Sequence, residues 1–295
     1  MSAEQFFSSV AVLAGLLFVV GSMLGTGLSL SVGQIVRPLK NAPLVILALV
    51  ANFVLVPLLA YGITKLLPLD EPLEIGLIVL STVAGAPFLI KEIQAAKADV
   101  ALGVGLMFLM MIVTIAYVPL VLPRLLSGVE VDAWAITKSL IVTMLVPLVI
   151  GLLWKSHSAD SAQRWTPVMS KVSGVALLLL LVTGLGLNIS NIISLIGSYG
   201  FLALIIFVLG SLVIGYALGG RRHATRSVLA LGTAQRNVAA AILVTTLNFS
   251  GTMTLPYVLV GAILLPVILI PTARLLSRRQ GTVAPPAASE AGTDT

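Results

Sequence analysis

Apolar residues run through this chain in long blocks, and the polar positions between the blocks are few and clustered. A helix needs about 20 apolar residues to cross the core of a bilayer. Nine blocks meet that rule, at about 8–32, 43–65, 73–91, 100–123, 134–154, 167–189, 199–219, 226–248 and 254–277. The connectors are short and leave no room for a soluble domain. The leader "MSAEQFFSS" carries Glu4 and no Lys or Arg, so the first block reads as a retained transmembrane helix and not as a signal peptide. The pattern predicts an all-α polytopic membrane protein of about nine spans. Residues 1–279 form one transmembrane unit. The tail, 280–295, is rich in Pro, Ala, Thr and Ser and is expected to be a disordered cytoplasmic segment.

Two blocks are interrupted. In the third, Gly85 and Pro87 break the run, and Lys91, Glu92 and Gln94 follow. Proline lacks an N–H and clashes with the carbonyl four residues back, so it kinks or breaks a helix. In the eighth, "LGTAQRNVAA" (231–240) sets Gln235, Arg236 and Asn237 side by side after Gly232 and Thr233, where the helix is expected to unwind. Arg226 marks one end of this block, and ten residues at 1.5 Å each carry Arg236 about 15 Å further in, near mid-bilayer. An arginine there costs at least about 2.5–3.5 kcal/mol and must face protein, water or an anion. One interrupted helix in each half points to inverted repeats with two broken crossing helices around a midplane site. Two alternatives stand beside this reading. Leu73–Ile90 already spans, so Lys91 and Glu92 lie either in the crossing or at its cytoplasmic end. Arg236 either meets a ligand or forms a structural pair with Glu92. Single polar residues such as Thr114 and Thr143 are expected to bond their own helix backbone.

Composition agrees with lipid as the main solvent: 58% hydrophobic residues, 9% charged and a mean hydropathy of +1.12. Cysteine is absent, and the two histidines, His157 and His223, sit beside basic residues, so no metal site is expected. The net charge of +6 reflects basic loops and not nucleic-acid binding. Arg37 and Lys40, Lys155 and Arg164, Arg221, Arg222 and Arg226, and Arg274, Arg278 and Arg279 all fall on one side if the spans alternate. The opposite loops, "LLPLDEPLE", "SGVEVDAW" and "NISNIISLIGS", are acidic or neutral. The positive-inside rule places the N-terminus outside and the C-terminus in the cytoplasm, with the chain in the cell (plasma or inner) membrane. No Walker-type phosphate loop is present, and no convincing set of catalytic groups lies at depth, so neither an ATPase nor another enzyme is expected.

Three stretches resemble the bile acid:sodium symporter family: "GSMLGTGLSLSVGQI" (21–35), "STVAGAPFLIKEIQAAKADVAL" (81–102) and "LALGTAQRNVAAAILV" (229–244), the last with Asn237 at the family's asparagine. The resemblance implies the nine-helix form of that fold. It implies a panel of helices 8–32, 134–154 and 167–189, and a core of helices within 43–123 and 199–277. It also implies alternating-access transport of a small organic anion, often with sodium. Substrate contacts are then expected from Arg236, Gln235, Asn237, Thr233, Pro87, Lys91 and Glu92. No cofactor is implied, and sodium and a proton both stand open as coupling ions.

The departures from the family pattern concern sodium. Where sodium-coupled members carry small-Ser-Asn after the first break, this chain has Phe88, Leu89 and Ile90. Gly232 stands at the family's glutamate, and Arg236 at its glutamine. The resemblance therefore implies dismantled sodium sites, with a fixed guanidinium in the space of the lost cation. The leading reading is a secondary active transporter of a small organic anion. The alternatives are an exporter or uniporter of a weak acid, and a membrane sensor that keeps the fold without transport.

Overall fold

A computed structural model describes residues 3–126, 132–186, 198–249 and 251–280. The described residues fold into helices and no strands. Among them, eight helical stretches are long and apolar enough to cross a membrane, with His223–Asn248 counted as one. The ninth apolar block, 73–91, forms two shorter helices instead. The loops "SGVEVDAW" and "NISNIISLIGS" fall largely outside the described residues, as does the tail from residue 281.

In chain order, α1 (Ala3–Ser29) leads through the short α2 (Val32–Val36) to α3 (Ala42–Leu66). The first broken pair is α4 (Glu71–Thr82) and α5 (Leu89–Ala95), followed by α6 (Val100–Leu125). Next come α7 (Ala133–His157), α8 (Ala159–Gly186) and α9 (Gly200–Leu218). The second broken pair is α10 (His223–Ala234) and α11 (Val238–Asn248), and α12 (Thr254–Gln280) closes the fold. Side-chain caps start several of these helices. The Asp99 carboxylate accepts from Leu102 N–H at 2.9 Å, and Asp132 accepts from Trp134 and Ala135 N–H at 2.9 and 3.0 Å.

Two three-helix sets repeat the same plan, α3, α4–α5, α6 and α9, α10–α11, α12, each with its middle helix broken. The first set begins at the second span and the other at the seventh, so alternating spans run them in opposite senses. α4 packs on α11 and α5 on α10, so the broken helices cross. Their surroundings are α3, α6, α9 and α12. α1 packs along α7 and α8, and these three meet the other helices through α1 on α11, α7 on α6 and α11, and α8 on α12. α1 and α7 approach backbone to backbone at Gly27 and Gly151, where a Cβ on either residue would overlap the other helix.

Burial follows polarity. In the second broken pair, the most polar span, 89% of the apolar window is buried, against 11% for the window in Ala159–Thr183. Lipid replaces water around this fold, so polar residues are driven inward and apolar ones face out.

Candidate functional site

α3 contributes a local irregularity. Pro57 removes an N–H and crowds the carbonyl of Phe53, and the helix widens into a π turn at Ala51–Leu55. The Tyr117 hydroxyl on α6 donates to the Phe53 carbonyl at 2.6 Å, which gives that oxygen a partner. Asn52 lies in the widened turn and is buried. Its Nδ2 donates to Ala48 O at 2.9 Å and to Thr233 Oγ1 at 3.4 Å, which leaves Oδ1 free to accept.

The first break runs from Val83 to Phe88. Gly85 has φ +78°, and a Cβ there would overlap the backbone of Met111 on α6, so the left-handed turn and the close approach both require glycine. Thr114 of α6 supports the break: its Oγ1 accepts from Ala84 N–H at 2.9 Å and donates to Ala84 O at 3.1 Å. Thr114 thus serves another helix's backbone, contrary to expectation. Thr143 does bond its own helix, at Ser139 O, 2.6 Å away.

The second break also differs in register from the sequence reading. Gly232 and Thr233 stay helical; α10 ends at Ala234, and Gln235, Arg236 and Asn237 form the break. Asparagine is a favoured cap, and the Asn237 Oδ1 accepts from Ala240 N–H at 3.2 Å to start α11. The same side chain joins the two breaks. Asn237 Nδ2 donates to Gly85 O at 3.1 Å, and its backbone N–H donates to Val83 O at 3.3 Å.

Arg236 is 0% exposed. Its Nη2 donates to Asn52 Oδ1 at 2.5 Å and to the Thr233 carbonyl, and its Nη1 donates to Ser81 O at 3.4 Å. Ser81 and Thr233 occupy the last turns of α4 and α10, whose carbonyls have no partner within their own helices. Two helix C-termini, the negative ends of their dipoles, thus meet the guanidinium. Arg236 Nε has no acceptor and Gln235 Oε1 no donor among the described residues, while Gln235 Nε2 donates to Arg236 O at 3.2 Å.

The structure gathers Arg236, Gln235, Asn237 and Thr233 beside the Gly85–Pro87 break. Neither Lys91 nor Glu92 bonds to any of them. Lys91 is exposed, with its Nζ over the Phe88 ring. Glu92 is 0% exposed, and neither of its oxygens has a hydrogen-bond partner among the described residues, so the considered Arg236–Glu92 pair is not formed. Asn52 and Ser81 were not singled out from the sequence, and Thr114 was expected only to bond its own helix. A lone asparagine inside the apolar block 43–65 was the available signal, because polar groups in a span are functional by default. No group of three or more His, Cys, Asp or Glu able to hold a metal occurs among the described residues.

The "Sodium Bile acid symporter family" sequence profile matches residues 15–195, more than half of the 295-residue chain. The chain belongs to this family. The match takes in the first broken pair and ends before the second, so Arg236 lies beyond it. Curated relatives include the probable sodium/metabolite cotransporter BASS3, chloroplastic, of Arabidopsis thaliana. It is 31% identical over 200 residues, which are 68% of this chain and 46% of that protein. The BASS3 protein of Oryza sativa subsp. japonica is 28% identical over 198 residues, 66% of this chain and 47% of the relative. The same plant's BASS2 is 27% identical over 207 residues, 68% and 49% respectively. The chain spans about half the length of these relatives.

Proposed function

We propose that this chain is a secondary transporter of a small organic anion. The observation that carries the reading is Arg236: a fully buried cation, with no carboxylate of the described residues bonded to it, where two broken helices cross. Neutral oxygens solvate the guanidinium but leave its charge uncancelled, and in a low-dielectric interior that charge attracts an anion strongly. Its Nε–H is a spare donor. The relatives named as sodium/metabolite cotransporters support a transporter of small molecules. Within this proposal α1, α7 and α8 form the panel and the remaining spans the core. Movement of one against the other exposes the crossing to each side in turn. The basic loops support a multi-pass arrangement with the N-terminus outside the cell and the C-terminus in the cytoplasm.

Binding of small carboxylates to purified Arg236 variants, measured in sodium-free choline buffer, tests the reading. Losing a hydrogen-bonded charge is worth roughly 1.5–3 kcal/mol, or about ten- to a hundredfold in affinity. Arg236→Lys keeps the charge but loses the planar fork, so it should weaken binding less than Arg236→Gln. A folded Arg236→Gln protein with full affinity would remove Arg236 from substrate recognition.

A further inference from the structure

The family and its relatives carry sodium in their names, which raises the question of whether the oxygens at the crossing fit that ion. A hard monovalent cation is held by oxygens, often backbone carbonyls that replace its water shell. Such a set exists here. Asn52 Oδ1 from the π turn of α3, Ser81 O from the end of α4 and Thr233 O from the end of α10 converge from three helices. All three residues are buried. Each oxygen is already engaged by the same guanidinium. A sodium ion among them would displace Arg236 or lie against a positive charge, so the residues present do not fit the free ion.

We infer that Arg236 is a tethered cation that fills an otherwise serviceable alkali-ion seat, so that this chain holds its charge without sodium and an Arg236→Gln substitution opens the seat to it. Several features support this. The dipoles of α4 and α10 present their negative ends to the seat, which suits any cation. The Asn52 amide is oriented by its own donations to Ala48 O and Thr233 Oγ1, so Oδ1 remains aimed at the seat when the guanidinium is gone. The glutamine side chain is shorter than arginine and supplies a further oxygen. The seat also accounts for the absence of a carboxylate partner: the oxygens together serve the charge without neutralising it, which leaves the field available to an anion. Only this last link rests on the transporter proposal.

The test is thermal unfolding of the purified full-length chain without any organic anion, in choline, potassium and sodium chloride at constant ionic strength. Wild type, Arg236→Lys, Arg236→Gln and the double variant Asn52→Leu/Arg236→Gln are compared. The wild-type and Arg236→Lys midpoints should not respond to sodium. The Arg236→Gln midpoint should be lower in choline and rise saturably with sodium, and the double variant should lose that rise. A saturable rise in wild type overturns the inference, and so does a folded Arg236→Gln protein that ignores sodium. If Arg236→Gln folds only when sodium is present, that supports the seat. If it folds in no salt, the wild-type and Arg236→Lys titrations decide alone: a response refutes the inference, and none upholds it. Carboxylate binding by Arg236→Gln should tighten about tenfold or more in sodium, while wild type stays unchanged. Failure of every protein to bind a carboxylate would count against the transporter reading and leave the unfolding result intact.

Discussion

Glu92 is as buried as Arg236, but its oxygens meet no donor where the guanidinium meets three acceptors. A carboxylate taken from water without a partner is costly, and an amide of the same shape has no charge to desolvate. Glu92→Gln should therefore leave the unfolding midpoint unchanged or raise it at neutral pH, and should not rescue Arg236→Gln. A loss above about 1 kcal/mol in calorimetry would reveal an ion partner for this group. Residue-scale legibility was uneven. The burial of Arg236 agrees with its place inside an apolar block, and the capping role of Asn237 suits its residue type. Its bond to Asn52 joins positions 184 apart in the chain, and no local pattern marks such a pair. The sequence reading weighed Glu92 as a structural partner of Arg236, but the buried carboxylate bonds to none of the described residues.

At the scale of elements, the two breaks differ in how they are made and held. The first depends on glycine and proline, which are visible in the sequence. The second has neither at its unwound residues and is defined by the Asn237 cap and the crossing bonds, so its boundary was misread by about three residues, at Gly232 in place of Gln235. The first break depends in turn on α6. Thr114→Val keeps the shape of the side chain and removes the oxygen that serves both polar groups of Ala84. Leaving a buried backbone group without a partner costs about 1–3 kcal/mol. Thr114→Val should lower the unfolding midpoint accordingly, and Thr114→Ser, which keeps the hydroxyl, should restore most of the loss. Equal stability of the two variants would show that the break supports itself. Hydroxyls in a span usually bond their own helix, and only the packing of α6 against the break reveals that Thr114 does not.

For the whole molecule, the apolar blocks were long enough for helix number and order to be read directly. The exceptions were blocks 73–91 and 226–248, each split into two helices, and in the first Gly85 and Pro87 had already announced the interruption. Orientation rests on the basic loops and is open to a direct check. The chain has no native cysteine, so single cysteines introduced at exposed Asp70 and at Ser158 label cleanly. A membrane-impermeant thiol reagent applied to intact cells should modify the Asp70→Cys protein and reach Ser158→Cys only after the cells are opened. Ser127, on the same side as Asp70 by the sequence reading, lies outside the described residues. Labelling of both positions from the same side would refute the arrangement.

The contact of α1 with α7 at Gly27 and Gly151 bears on how such a molecule can change shape. With no side chain between them, the two backbones interlock, and neither helix can slip along or roll about the other without collision. A push on one is passed to the other at full stroke, as through a riveted joint. At the crossing, Asn237 fastens both breaks with bonds from its backbone and its side chain, so that region also resists internal shear. In the proposed transport cycle, these two stiff regions concentrate movement at the boundary between them. That boundary lies where α1 meets α11, α7 meets α6 and α11, and α8 meets α12, and side-chain size there sets how far the two regions swing in that cycle.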